Sequence, residues 1–237
     1  MRARVLVVIP ARNEAANLPA VLDELRRVRP GDDVLVVDDD SSDDTAAMAR
    51  RLGFQAMELP LHLGYGGAVQ AGVKLGLRRG YPVIVTFDGD GRHDPGDVAT
   101  LVARVEEGYD LVLGSRFLSQ ASHRGGFLRR GGRALFSALT RVLTGLPLTD
   151  PTSGLKALGP RGQRLFSMAG FPDRFPDADA LVLARRARLR LGEVPARMRP
   201  SRNRRSMHGG WRAVAYTFNM LFSIVVAAWG READLRG

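Results

Sequence analysis

The stretch "VTFDGDGRHDP", Val85 to Pro95, decides how this chain is read. It opens on the end of an apolar run, Pro82–Phe87, with the composition of a strand buried on both faces. It then turns abruptly acidic, with Asp88, Asp90 and Asp94 inside seven residues. Like charges that close repel unless positive charge sits among them. A buried strand that stops in carboxylates is what an open α/β sheet presents at the carboxyl ends of its strands, where such folds bind ligands.

The same figure recurs on both sides of this stretch. Val5–Ile9 and Val34–Val37 are short continuous apolar runs, and Phe54–Leu59 and Leu111–Leu113 are weaker ones. Between them, apolar residues at helical spacing predict helices over Glu14–Val28, from Ser42 or Asp43 to Leu52, over Tyr65–Arg79 and over Pro95–Glu107. Strand and helix alternating at this spacing predict an α/β fold, a mostly parallel sheet wound on both faces by helices. The strand ends then carry Pro10–Glu14, Asp38–Asp40, Asp88–Asp90 and Ser115–Arg116. The second half is less regular. Ser119–Gly132 reads as a polar loop, Phe127–Leu143 contains a helix, and "LTDPTSGLKAL" is a turn-rich connection. Asp177–Leu191 reads as helical and "GEVPARMRP" as a short strand. No repeat or linker divides the chain before residue 205, so residues 1–205 are taken as one domain and 206–237 as an appended helix.

Composition narrows the class. The chain has 237 residues, 45% of them hydrophobic, which suits a sizeable core and argues against disorder. It has no cysteine, hence no disulfide framework and no thiolate zinc site. The opening "MRARVLVVIPARNE" lacks the apolar length of a signal peptide. These features fit a cytoplasmic location. The net charge of +10 points to an anionic partner, and between Arg185 and Arg205 nine arginines face one acid, Glu193.

The acids suggest their own chemistry. Asp88-Gly89-Asp90 sets two carboxylates about a small residue, a pattern suited to Mg²⁺ or Mn²⁺ shared with a diphosphate. The alternative is an acidic turn with Asp94 capping the next helix. Asp38 and Asp39 can accept from a nucleobase or a ribose, or can cap the helix after them. The glycines of "HLGYGGAVQAG", Gly66 among them, precede a helix and would let a ligand approach the backbone.

Taken together, "VVIPARNEAANL", "VLVVDDDSSDDT", "HLGYGGAVQAG", "VTFDGDGRHDP", "LVLGSRF" and "DPTSGLKAL" resemble the family 2 glycosyltransferases of GT-A fold, covering roughly residues 5 to 160. More narrowly, the chain resembles the dolichol-phosphate mannosyltransferases and bacterial polyprenyl-phosphate glycosyltransferases. The resemblance implies roles residue by residue. Pro10, Arg12, Asn13 and Glu14 match the nucleotide-binding first loop, and Asp38 and Asp39 the acids that hold base and ribose. Asp88 and Asp90 match the metal-binding acids. Ser115 and Arg116 match the motif beside the acceptor phosphate, with Arg130, Arg133 and Arg202 as further basic residues there. Asp150 matches the acid of the "DPTSG" motif, sometimes proposed as a base. Arg92 stands where many relatives carry glutamine. Arginine has no acceptor lone pair, so it cannot coordinate a cation; it either binds the diphosphate or repels the metal.

The implied reaction transfers a hexose from a nucleotide diphosphate sugar, of the GDP-mannose or UDP-glucose type, with inversion. A hydroxyl acceptor, on a glycan or glycolipid, would need a base, for which Asp179 or Asp177 is the candidate. A phosphate acceptor would not, because its second pKa of ~6 leaves it largely anionic. It would need arginine forks instead, and the arginine-rich balance favours it. A catalytically weak sugar-nucleotide-binding protein is the reading left open by Arg92. Nucleic-acid binding finds no aromatic-basic module here. Finally, Trp211, Val214, Ala215, Phe218, Phe222, Val225 and Trp229 recur at helical spacing, with arginines and tryptophans at both ends. That pattern suits a helix lying in a bilayer interface, and so a peripheral position at the inner face of the cell membrane, with a spanning helix, or one packed on this domain or a second subunit, as the alternatives.

Overall fold

The computed structural model describes residues 4–118, 141, 145, 147–169, 171 and 178–199. In chain order the elements are β1 (Val5–Ala11), α1 (Leu18–Val28), β2 (Asp33–Asp38), α2 (Thr45–Arg51), β3 (Gln55–Glu58), α3 (Gly64–Arg78) and β4 (Val83–Thr86). Then come α4 (Asp97–Glu106), β5 (Leu111–Ser115), β6 (Lys156–Leu158), α5 (Pro160–Ser167), α6 (Ala178–Arg186) and β7 (Leu191–Pro195). Apart from residue 141, the loop, the helix and the appended C-terminal helix expected over 119–143 and 206–237 lie outside the described residues. Among the described residues no helix is long and apolar enough to cross a membrane.

The strands form one sheet in the order β3-β2-β1-β4-β6-β5-β7. All pairings are parallel except those of β6, which runs antiparallel to β4 and to β5. Alternate residues of β1 feed two cores. Val5, Val7 and Ile9 pack with Leu18, Leu22 and Leu25 of α1 and Leu101 of α4. Leu6 and Val8 pack with Val69 and Val73 of α3 and Phe166 of α5. Fully burying each such side chain contributes about 1.5–3 kcal/mol, so the central strand is held from both faces.

Two sequence expectations change. The "LTDPTSGLKAL" connection supplies β6, a three-residue strand wedged between β4 and β5. Three residues are too few for a period to be visible, and the reversed direction breaks the βαβ rhythm. The glycines of "HLGYGGAVQAG" do not precede a helix but lie within α3, with Gly66 buried in its first turn. Further along, a Cβ on Gly72 would sit 2.3 Å from Cγ1 of Val8, and one on Gly76 would sit 2.5 Å from Cδ1 of Ile84. The helix needs those two glycines to lie against the sheet.

Candidate active site

The strand order reverses direction between β1 and β4, the position at whose carboxyl edge open α/β sheets bind ligands. Residues 10–14 leave β1 on one side of it and residues 87–91 leave β4 on the other. They touch directly: the Phe87 N–H donates to the Val8 carbonyl at 2.9 Å, and a Cβ on Gly89 would meet Ile9 and the Pro10 carbonyl.

The first loop is held by the loop after β2. The Asn13 N–H donates to Ser41 Oγ at 3.0 Å, and Asn13 Oδ1 accepts from the Ser42 N–H at 2.8 Å. The Glu14 N–H donates to Thr45 Oγ1 and the Ala15 N–H to Asp43 Oδ2. Asn13 adopts φ 56°, a left-handed conformation that asparagine tolerates. Arg12 is exposed at the loop's tip.

Asp38 and Asp39 are buried at 5% and 4% exposure, and backbone donors engage both. Asp38 accepts from the N–H groups of Ser41 and Ala46 at 3.0 and 3.2 Å. Asp39 accepts from the N–H groups of Leu63 and Gly64 at 2.7 and 2.9 Å and contacts His62 Nδ1 at 2.7 Å. These bonds tie Asp38 to the start of α2 and Asp39 to the start of α3.

The three carboxylates of residues 88–94 meet three different fates. Asp94 faces Arg197 Nη2 at 3.2 Å and Arg199 Nη2 at 3.4 Å, and accepts from the Gly96 N–H. Asp88 lies 2.9 Å from Nε2 of the buried His93 and accepts from the Tyr65 hydroxyl at 3.3 Å. Burial opposes the charge of Asp88, but His93, Lys156 and Tyr65 outweigh it and hold this carboxyl below the usual range. Asp90 accepts the Arg92 N–H at 3.0 Å and has no ion pair among the described residues. Burial and the neighbouring Asp88 push its carboxyl above the usual range, against that N–H and the charges of His93 and Arg92. Glu14 is raised as well, by burial first and then, against the Asn17 hydrogen bond, by Asp90, Asp43 and Asp88. The positive charge that the acidic stretch demands is therefore supplied from within for Asp94 and Asp88, and is short at Asp90 and Glu14.

A second polar group lies at the end of β5. Asp150 is fully buried and accepts from the Arg116 N–H, Nε and Nη2 at 3.0, 2.6 and 2.5 Å. Ser115 Oγ lies 2.6 Å from Thr149 Oγ1. Glu193 of β7 accepts from the N–H groups of Thr149 and Asp150 at 2.9 and 2.7 Å. Asp150 thus anchors Arg116 through its backbone N–H and its guanidinium. Asp179 is 2% exposed in the first turn of α6, where it accepts from the Ala180 N–H.

The family profile described as "Glycosyl transferase family 2" matches residues 6–158. An undecaprenyl-phosphate mannosyltransferase of Micrococcus luteus is 37% identical over 203 residues, 81% of this chain and 82% of that one. The chain belongs to glycosyltransferase family 2. A polyprenol monophosphomannose synthase of Mycolicibacterium smegmatis is 37% identical over 161 residues, 65% of this transferase and 61% of that protein's length. Among solved structures, glucosyl-3-phosphoglycerate synthase of Mycobacterium tuberculosis with Mn²⁺, UDP and its product superposes with a TM-score of 0.73. It is 24% identical and covers 96% of this chain and 80% of its own. That likeness fixes the fold as the GT-A type.

Sequence reasoning named Asp88, Asp90, Ser115, Arg116 and Asp150 in three motifs; the transferase places the first after β4, the second at the end of β5, and Asp150 of the third against Arg116. Arg130, Arg133, Arg202 and the alternative base Asp177 lie outside the described residues. Tyr65, His93, Gly154, Lys156 and Glu193 were not singled out. A Cβ on Gly154 would sit 2.6 and 2.7 Å from the two oxygens of Asp88, so this glycine forms the wall behind that carboxylate. Glu193 had one signal, as the lone acid in an arginine-rich run.

Proposed function

We propose that this transferase moves a hexosyl group, with inversion, from a nucleotide diphosphate sugar to a polyprenyl phosphate, assisted by Mg²⁺ or Mn²⁺. The observation that carries the proposal is the placement, at the carboxyl ends of β4 and β5 on one edge of the sheet, of under-compensated carboxylates, Asp90 and Glu14, beside Asp88, and of an arginine anchored by Asp150, Arg116. The names of the relatives supply the acceptor class, and the fold neighbour's Mn²⁺ and UDP supply the donor class.

The donor set fits a hard divalent cation. Asp90 and Asp88 offer oxygen ligands, and Asp90 carries charge that nearby protein cations leave incompletely balanced. Among the described residues no three acidic or histidine side chains converge on one point. Mg²⁺ is commonly held by one or two carboxylates, with phosphate and water completing its shell. When bound, such an ion neutralises charge developing on the leaving diphosphate. The chain's own residues do the rest. Asp38 and Asp39 hold the loops that wall the nucleotide pocket. Asp88 is oriented by His93 and Tyr65. Arg116, held through Nε and Nη2 by Asp150, would bring its guanidinium charge to the phosphate acceptor. A phosphate nucleophile is already anionic at neutral pH, so no general base is required, in keeping with Asp150 being ion-paired.

The test is turnover of the full chain with a panel of UDP- and GDP-sugars, with and without undecaprenyl phosphate, in Mn²⁺ or Mg²⁺ and then in EDTA. Lipid-dependent, EDTA-sensitive release of one nucleotide is expected. Release that follows a hydroxyl acceptor instead, with or without lipid phosphate, would overturn the acceptor assignment.

A further inference from the structure

The segment that follows β7 crosses back to the acidic loop. Met198 forms an isolated antiparallel bridge with His93, and the Arg199 N–H donates to the Arg92 carbonyl at 2.9 Å. Either side of this bridge, two arginines grip the loop. The Arg197 N–H and Nε donate to the two oxygens of Asp97 at 2.6 and 3.0 Å, and its Nη2 reaches Asp94. Arg199 Nη1 donates to both oxygens of Glu24 on α1 at 2.6 and 2.7 Å, while its Nη2 reaches the same Asp94 oxygen. The gripped residues lead straight to the site, since His93, fixed by the bridge, contacts Asp88 at 2.9 Å.

The loop's other polar contacts include those of Asp88 with His93 and Tyr65, of the Arg92 N–H with Asp90 and of the Gly96 N–H with Asp94. The loop holds three carboxylates in seven residues and turns at Gly91 with φ 73°. Nδ1 of the buried His93 has no hydrogen-bond partner among the described residues, so the imidazole is oriented by Asp88 at one nitrogen and by its backbone. Partly exposed ion pairs contribute little to global stability, and Arg197 is 64% exposed at its side chain. What these forks supply is geometry.

Resting on the functional reading above, we propose that Arg197 and Arg199 are positioning residues that hold the loop of Asp88 and Asp90 in its metal-binding shape. The role belongs to the planar fork and not to charge alone. Removing positive charge beside the acids would by itself favour a cation, whereas replacing the fork by an ammonium keeps the charge and loses the geometry.

The deciding variant is therefore Arg197→Lys/Arg199→Lys in the full chain, with Arg199→Lys alone as a milder companion should the double variant fold poorly. Two readouts are taken. Amide hydrogen exchange of the peptide spanning 88–96 is measured without metal, and Mn²⁺ binding is measured by calorimetry with UDP or GDP present. Expected are exchange in that peptide faster by about tenfold, Mn²⁺ bound about tenfold more weakly, and a melting temperature within a few degrees of wild type. Unchanged exchange and unchanged Mn²⁺ affinity in both variants would overturn the proposal. Wild-type protein that takes up no Mn²⁺ with either nucleotide would sink the functional reading, and the exchange rates would still decide whether the arginines shape the loop.

Discussion

At the scale of single residues, the site sorts chemically similar carboxylates by their surroundings. Gly154 exemplifies the cost of disturbing that sorting. An alanine there drives a methyl group into both oxygens of Asp88, and displacements of about 1 Å at a reacting centre can cost 10²-fold. Gly154→Ala is expected to lower kcat/KM by about 10²-fold in a sugar-nucleotide release assay, while thermal unfolding, read by circular dichroism, changes far less. Glu14 gives a pH-dependent test. Its carboxyl is raised above 4.5 in the folded state, chiefly by burial, so the folded protein binds that proton more tightly than the unfolded chain. Stability contributed by the protonated form is present below 4.5 and is lost as pH rises through the folded value. Glu14→Gln removes the penalty. It should melt about 1–2 °C above wild type at pH 7 and level with it at pH 4, a modest shift because the group is half-buried. An equal gain at both pH values would mean that charge is not the cause. Neither Gly154 nor the state of Glu14 was legible in the sequence, because both depend on residues distant in the chain meeting in space.

At the scale of elements, much was legible, and for a physical reason. A strand buried on both faces is a continuous apolar run, and where it leaves the core the composition changes abruptly. The ends of β1, β2, β4 and β5 therefore announced themselves as "PARNE", "DDD", "DGD" and "SR". What composition could not announce was β6, too short for a pattern, or the use made of Asp38 and Asp39, since a cap and a ligand want the same carboxylate. Gly72 was grouped in the same way with glycines ahead of the helix. Glycine before a helix and glycine facing a sheet look alike until the helix has a neighbour. Gly72 tests the corrected reading. Its Cα is pressed on Val8 of the central strand, and an added Cβ would lie 2.3 Å from Cγ1 of Val8 and 3.2 Å from Cγ2 of Val37. Neither neighbour is a flexible side-chain end, so Gly72→Ala must push α3 off the sheet. Overpacking of this kind costs about 1–3 kcal/mol, against the small gain in helix propensity. Chemical denaturation should register the loss as a lower midpoint with an unchanged slope. A midpoint at or above that of wild type would mean that α3 does not rest on β1 as described.

At the scale of the whole molecule, the charge of +10 has an address. Residues 119–140 and 200–237 together hold ten arginines and two acids, Glu232 and Asp234, while all other residues hold 25 basic against 23 acidic groups. The excess thus falls almost wholly in the stretches that contain Arg130, Arg133 and Arg202, the residues expected near the acceptor phosphate, and in the sequence leading into the Trp211–Trp229 pattern. Within the described residues, by contrast, Arg197 and Arg199 of the same arginine-rich run are neutralised by Asp94, Asp97 and Glu24. Charge left unbalanced in two stretches, rather than spread over the surface, is the distribution that an anionic lipid surface attracts, at about 1 kcal/mol per arginine close to it. The full chain is accordingly expected to bind vesicles containing phosphatidylglycerol, with affinity falling at least about tenfold between 50 and 300 mM NaCl as the Debye length shrinks. Arg129→Gln/Arg130→Gln/Arg133→Gln should weaken vesicle binding further while calorimetric binding of the nucleotide, proposed to lie at the ends of β1, β2 and β4, stays unchanged. Vesicle binding that ignores both salt and the anionic lipid fraction would mean that apolar contact alone, through the tryptophan-flanked stretch, brings the protein to the membrane. Loss of nucleotide binding in the triple variant would instead mean that these arginines belong to the donor pocket.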